Sequence, residues 1–385
     1  MTTKKPKLLI ATDNFLPRWD GVSRVLTEII PLLTKTYDVT VIAPEFGKVT
    51  PKGYKLIQIK KSKIGLGDYT AARFSINKIR KEVKNTDIVF TQTIGPIGTL
   101  AILYAKKKKK KIATYIHSIE WELVPMATNN LTLRKFLYPL TKIVTKYIYR
   151  KPDLLIVPSE FLADALSWQG INTKKTVATL GVDCEVFKPI NEKSEEETKK
   201  IETLRKELNL ENSYVIGNHG RLAHEKDIPT LIRAYNIFKK KHKNAKLLVI
   251  GSGVESIKQK LKKTNGCIHI ESKNNVQDYL NLMDVYVTTS LTETTSLATL
   301  EAMACALPVI STPVGFIKEY IKPKENGLIF KPKRSFELNK QLETIKQNTK
   351  LAEKIRKNAR ETVLQKFQWK NTAEKIKQAL ESLHS

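Results

Sequence analysis

Short apolar runs alternate with amphipathic stretches along this 385-residue chain. The runs Lys7–Asp13, Val39–Pro44, Lys55–Ile59, Ile88–Thr93, Ile112–His117 and Leu154–Pro158 have the length and β-branched content of buried strands. Helical spacing fills most of the gaps, at Val22–Tyr37 with Pro31 inside it and at about 69–84, 96–110, 131–150 and 159–169. Such alternation predicts a doubly wound parallel sheet. The pattern breaks at the charged run Asn191–Lys200, and Ile201–Leu210 reads as a short linker helix. It restarts with strands at Tyr214–Asn218, Lys246–Gly251, Ile268–Ser272, Val285–Ser290, Pro308–Thr312 and Leu328–Lys331, and turns helical from about 335. The expectation is α/β: two Rossmann-like domains, 1–190 and 213–367, a linker at 191–212 and a last helix at 368–385.

Val285–Pro313 is the stretch richest in chemistry. It reads as strand, polar loop, helix from about Ser296 to Ala306, and strand. Ligands of parallel sheets bind beyond the carboxyl ends of strands, where helix N-termini also point. Thr294, Thr295 and Ser296 stand where the helix begins, and the N–H groups and dipole there suit a phosphate. Glu293 in the loop and Glu301 in the helix are spaced E-x7-E. The first can face whatever lies beyond the phosphate, and the second can accept hydrogen bonds from a diol. A second station, Gly217–Asp227 (GNHGRLAHEKD), puts Arg221 and Lys226 after a strand end.

The wording SLTETTSLATLEAMACALPVI and GRLAHEKD resembles the family 4 glycosyltransferases, retaining enzymes of GT-B fold. The resemblance implies two Rossmann-like domains facing a cleft, with the last helix, from Trp369, returning to the first domain. It implies that Arg221 and Lys226 bind the diphosphate of a nucleotide sugar, Asp227 replacing the family's glycine. Glu293 would meet the sugar hydroxyls and Glu301 the ribose, with Thr295, Ser296 and Leu297 on the donor. FLPRWDGV resembles the family's N-terminal loop, in which Gly21 lets backbone approach a ligand; Asp20 stands where a glycine is usual. In TYIHSIEWELVP, His117 matches a family histidine near the donor sugar and acceptor. Glu120 and Glu122 follow in what reads as a loop suited to acceptor hydroxyls. Gly181–Pro189 resembles a junction segment, Gly251–Gly253 a turn near the nucleotide, and 271–276 (ESKNNV) the place of the base.

No Asp-x-Asp is present, so the resemblance and the two cations together imply leaving-group stabilisation without a metal. Same-face return is the expected route, with double displacement through Glu293 as the alternative. The donor is expected to be a UDP- or GDP-hexose carrying glucose, mannose or galactose.

Charge adds a partner. The net charge is +29, and residues 1–190 hold 32 Lys and Arg against 15 Asp and Glu. That suits nucleic acid, anionic lipid or phosphorylated substrates, unless lysine-rich composition is a trait of its own. No nucleic-acid recognition motif accompanies it, which leaves a basic nucleic-acid-binding protein as the rival from another class. Leu131–Lys151 alternates apolar and basic residues at helical spacing, and Lys106–Lys111 is a basic tip. With wording close to diacylglycerol glucosyltransferases, this points to a lipid acceptor at an anionic membrane surface, ahead of a soluble sugar or glycan. Three scattered cysteines (Cys184, Cys267, Cys305), an N-terminal run that reads as a strand and not a signal peptide, and no run of about 20 apolar residues imply a cytoplasmic protein, peripheral on the inner face of the cell membrane.

Overall fold

The computed structural model describes residues 5–383 apart from Trp19, Gly67, Asp68, Asn129 and Asn274. Trp19 of the N-terminal loop motif and Asn274 of the 271–276 motif therefore lie outside the described residues. The chain divides into two compact units. The first runs to Leu180 and resumes at Trp369, and the second is Gly181–Gln368.

The first unit contains β1 (Lys7–Ala11), α1 (Gly21–Thr36), β2 (Asp38–Pro44), β3 (Lys55–Ile59), β4 (Lys61–Leu66), β5 (Tyr69–Ala72), α2 (Ile76–Lys84), β6 (Ile88–Thr91), α3 (Pro96–Lys107), β7 (Lys111–Tyr115), α4 (Glu120–Met126), α5 (Leu131–Tyr149), β8 (Leu154–Val157), α6 (Glu160–Trp168) and β9 (Lys175–Val177). The second contains α7 (Glu195–Glu207), β10 (Tyr214–His219), α8 (Ile228–Lys241), β11 (Ala245–Ile250), α9 (Glu255–Lys262), β12 (Cys267–Ile270), α10 (Val276–Leu280), β13 (Val285–Thr288), α11 (Leu297–Ala304), β14 (Val309–Ser311), α12 (Ile317–Tyr320), β15 (Leu328–Ile329), α13 (Ser335–Gln347) and α14 (Thr349–Lys366). The last helix, α15 (Trp369–Glu381), belongs to the first unit and packs on α1. There Thr372 Oγ1 donates to the Thr179 carbonyl at 2.7 Å.

Seven parallel strands form the first sheet, in the order β3-β2-β1-β6-β7-β8-β9. Six form the second, β12-β11-β10-β13-β14-β15, again all parallel. In both, the order reverses beside the unit's first strand, which makes a crevice at the carboxyl ends of β1/β6 and of β10/β13. The central strands are buried on both faces, so IVFT, LLIV and VYVT read as unbroken apolar runs rather than alternating ones.

The helical reading of 69–84 is corrected in its first part. Residues 69–72 form β5, which pairs antiparallel with β4, and α2 begins only at Ile76. Tyr69 and Thr70 favour extended backbone, and pairing overrides the helical spacing. The linker helix α7 begins at Glu195, ahead of Ile201. Ser194 and Glu197 close a capping box there, the Ser194 hydroxyl accepting from Glu197 N–H at 3.2 Å and the Glu197 carboxylate from Ser194 N–H at 2.9 Å.

Candidate active site

Arg221 follows β10 and Lys226 closes a short 3-10 turn, His224–Lys226, both at the carboxyl edge of the second sheet. The Arg221 turn is braced by the loop after β11. Leu222 N–H donates to Ser252 O at 2.9 Å and Val254 N–H to Leu222 O at 2.8 Å. The approach leaves no room for side chains: a β-carbon on Gly251 would lie 1.9 Å from the Gly220 carbonyl oxygen, and one on Gly253 2.2 Å from that of Leu222. The G-x-G pair thus holds the arginine turn. Asp227, where the family's glycine is expected, adopts a left-handed φ of 43°, a conformation glycine takes readily and aspartate tolerates. Its carboxylate accepts from the Thr230 hydroxyl at 2.6 Å as α8 begins.

The turn is pinned to the end of β13. Thr289 Oγ1 donates to the Lys226 carbonyl at 2.7 Å, and Leu291 N–H to the Glu225 carbonyl at 2.7 Å. Lys226 Nζ then lies 2.6 Å from Glu293 Oε1, which also accepts from Ser290 Oγ at 2.8 Å. Two motifs 67 residues apart in sequence therefore meet in one ion pair at the switch point of the sheet. Arg221 pairs with Glu225, a buried carboxylate.

Residues 293–296 form a braced loop. Phe316 N–H donates to Thr294 O at 2.9 Å and Tyr320 Oη to Thr295 O at 3.0 Å. Gly315 lies under the loop at φ 55°, where a β-carbon would come within 1.7 Å of the Glu293 carbonyl oxygen. Ser296 begins α11 in a left-handed conformation, φ 59°, and makes no side-chain cap; its hydroxyl pairs with that of Thr299 at 2.8 Å. Leu297 opens the helix, and no acidic residue occupies its first turn. An uncapped amino end with this polarity favours an anion.

Glu301, one turn further, is buried, with Oε2 3.0 Å from His219 Nε2. The same imidazole nitrogen is 3.2 Å from the Ala298 carbonyl, and the Tyr286 hydroxyl donates to the His219 carbonyl at 3.2 Å. Sequence reasoning singled out Glu301 and missed His219, Glu225 and Ser290. The signals were there: His219 ends the strand two residues before Arg221, and Glu225 stands four residues after that arginine.

The other candidates belong to the first unit. Gly21 opens α1, and Asp20 is its N-cap, accepting from Ser23 N–H at 2.9 Å. The extra acid that interrupts the family's pattern thus has a capping role. A β-carbon on Gly21 would meet nothing within 4 Å, so the unit's own packing does not demand glycine there. His117 follows β7. Its Nε2 lies 2.9 Å from Gln92 Oε1, and its ring rests 4.6 Å from that of Tyr115. Burial lowers its pKa to about 3, so the imidazole is neutral at any ordinary pH.

Glu120 and Glu122 lie in helix α4, not in a loop. Both acids fall in its first turn, where the helix dipole favours them, and Pro125 does not prevent a helix this short. Glu120 Oε1 accepts from Tyr149 Oη at 2.6 Å and Ser118 Oγ at 3.2 Å. Burial raises its pKa to about 7, against the opposing effect of the Tyr149 hydrogen bond.

The switch point of the first sheet is organised differently. Asp13, fully buried after β1, accepts from Ile97 N–H at 2.9 Å, Gly98 N–H at 3.1 Å and Thr93 Oγ1 at 2.8 Å. An internal carboxylate therefore occupies the amino end of α3, and burial pushes its pKa up despite those bonds.

The family model for glycosyl transferases group 1 matches residues 200–362, and that for glycosyltransferase family 4 matches 19–186. The alpha-monoglucosyldiacylglycerol synthase of Acholeplasma laidlawii is 25% identical over 300 residues, 74% of this chain and 72% of that protein. The enzyme of the same name from Streptococcus pneumoniae is 22% identical over 332 residues, 83% of this chain and 74% of that one. Among solved structures, Anabaena HepE in complex with UDP and glucose superposes with a TM-score of 0.77 at 18% identity, covering 98% of this chain and 100% of that one. Glycosyltransferase models match both halves of the chain and the solved structure shares its fold, so the chain belongs to the family 4 glycosyltransferases, enzymes of GT-B fold.

Proposed function

We propose that this enzyme is a retaining hexosyltransferase that moves a sugar from a UDP- or GDP-hexose to the hydroxyl of a membrane lipid. The observation that carries the reading is the 2.6 Å pairing of Lys226 with Glu293 beside the amino end of α11. Breaking the sugar–phosphate bond sends an electron pair onto the leaving diphosphate. Arg221, Lys226 and the α11 amino end supply fixed positive charge for it. Glu293, held by Lys226 and Ser290, takes sugar hydroxyls, and Glu301, oriented by His219, takes the ribose diol. Thr295, Ser296 and Leu297 line the diphosphate. The acceptor oxygen attacks on the face the diphosphate leaves, and its proton passes to the departing phosphate oxygen. From the first unit, Gly21 and His117 serve the donor sugar, and Glu120 and Glu122 the acceptor.

The nucleotide sugar is supported by HepE, solved with UDP and glucose. The lipid acceptor is supported by the two diacylglycerol-glycolipid synthases and by α5, which has no acidic residue and leaves Leu131, Phe136, Ile143 and Tyr147 exposed. Among the described residues no helix is long and apolar enough to cross a membrane, so the proposed attachment, at the inner face of the cell membrane, is peripheral.

Thermal-shift titration with UDP- and GDP-sugars, followed by turnover with diacylglycerol or an oligosaccharide as acceptor, tests the reading. Stabilisation by one nucleotide sugar and transfer to the lipid are expected. Stabilisation by oligonucleotides alone would sink it. Turnover is also expected to persist in excess EDTA, because the leaving-group charge is met by side chains. Near-complete loss restored by magnesium or manganese would show otherwise. Finally, Glu301→Ala should mainly weaken binding of free nucleoside diphosphate, and Glu293→Ala mainly lower turnover. A larger affinity loss in the Glu293 variant would reverse the two roles.

A further inference from the structure

The proposed membrane contact rests so far on one helix, and the fold places a second element at its end. Along α5, Phe136, Leu140, Ile143 and Tyr147 recur at intervals of three and four, so they form one stripe. All four are exposed, Phe136 at 65% and Ile143 at 67%. Continued by one step, the stripe reaches Arg150 at the C-cap. Arg150 donates through Nε and Nη2 to the Gly170 carbonyl, at 3.0 and 2.8 Å, and Thr173 Oγ1 donates to the Tyr149 carbonyl at 2.7 Å. The turn after α6 is thereby clasped to the end of α5. Trp168, the last residue of α6 and two before Gly170, is 80% exposed, the highest exposure of any large apolar side chain among the described residues.

Charge lies on the same edge. Helices of a parallel sheet run opposite to the strands, so α3 and α6 both end at the amino edge of the sheet, where β7 starts at Lys111 and β9 at Lys175. Lys106–Lys109 are exposed there, and Lys151 Nζ sits 4.1 Å over the Tyr147 ring. A tryptophan at an edge that also carries lysines and the end of an apolar stripe has the chemistry of a bilayer interface, where amphipathic rings settle at headgroup depth and each nearby cation adds attraction to anionic lipid. The 19 residues of α5 span about 28 Å at 1.5 Å per residue, so the two elements define a line and not a point.

We infer that the chain meets an anionic bilayer through two clasped elements, the exposed stripe of α5 and Trp168 at the end of α6, with α5 lying along the surface. This deepens the lipid-acceptor reading and rests on it.

The test uses the full chain with phosphatidylglycerol vesicles, neutral phosphatidylcholine vesicles and brominated lipid. Binding to anionic vesicles at low salt should shift tryptophan emission to the blue and allow quenching by brominated lipid. Both signals should largely vanish in Trp168→Phe, although Trp19, Trp121 and Trp369 remain. Trp168→Ser should weaken vesicle binding roughly fivefold or more, and Ile143→Glu should abolish it. Wild-type flotation with unquenched Trp168 emission, and unchanged affinity in Trp168→Ser, would overturn the two-element contact while leaving a membrane-bound enzyme. Absence of binding to anionic vesicles would overturn both readings. A concentration-dependent dimer lost in Ile143→Glu, without vesicle binding, would assign this face to a second copy of the chain and overturn the inference.

Discussion

Alanine at Arg221 or at Lys226 is expected to lower kcat/KM by roughly a hundredfold or more. The loss of one donor to a developing oxyanion typically costs about 2.7–4 kcal/mol. The two variants should differ in kind. Arg221 is held by Glu225, and its removal leaves that buried carboxylate without its guanidinium as well as the diphosphate without a fork of donors. Lys226 pairs with Glu293, so its loss also releases the carboxylate assigned to the sugar, and discrimination among hexose donors should relax in that variant alone. Lys226 remains about a quarter exposed, and the turn that carries it is pinned at its carbonyls by the Leu291 N–H and the Thr289 hydroxyl, so the fold should survive. Steady-state kinetics with matched melting curves check this. Wild-type kinetics in both variants would move the diphosphate site elsewhere.

Arg360→Ala should give the largest loss of stability. Arg360 on α14 is 9% exposed and gathers three segments. Nη1 donates to the Phe187 and Ala304 carbonyls at 2.8 and 2.7 Å, and Nη2 pairs with Glu192 at 2.5 Å. Truncation removes the arginine donor from two buried carbonyls, at about 1–3 kcal/mol each. A total near 3–5 kcal/mol is expected from the two carbonyls, the half-exposed Glu192 adding little. For a unit of this size the melting transition should fall by roughly 10 °C. Lysine keeps the charge but not the planar fork, so Arg360→Lys should fall between. Calorimetry resolves the question, since the second unit's transition should move and the first unit's should not. A midpoint within a degree of the wild type would show that water replaces the guanidinium.

Much of this was legible from periodicity. Six strands of the first sheet and the six of the second follow from apolar runs at strand spacing, because strands buried on two faces leave a clear signal; the half-buried edge strand β9 left none. Arg221, Lys226, Glu293 and Glu301 stood out through the family wording around them, the first three in loops beyond strands and Glu301 in a helix. What escaped notice has a physical cause in each case. His219 and Glu225 act through side chains they orient, and a pairing of residue 219 with 301, or of 225 with 221, leaves no mark on hydropathy. The β4–β5 ribbon sits beside the sheet, where pairing rather than pattern decides. Glu120 and Glu122 read as loop residues, yet α4 includes both. Asp13 gave no sign at all: a carboxylate capping α3 is separated from its partners by some eighty residues.

The route of the chain has a consequence for biosynthesis. The second unit is one continuous segment that enters and leaves at adjacent points, Val182 N–H donating to the Phe367 carbonyl at 2.8 Å. The first unit is split, and α15 is its last piece. A ribosome therefore delivers everything the second unit needs before it delivers what the first still lacks. Until Trp369–Glu381 emerges, the surface of α1 that receives α15 waits without that cover through the synthesis of an entire neighbouring domain. Of the two units, the one that starts to emerge first is completed last.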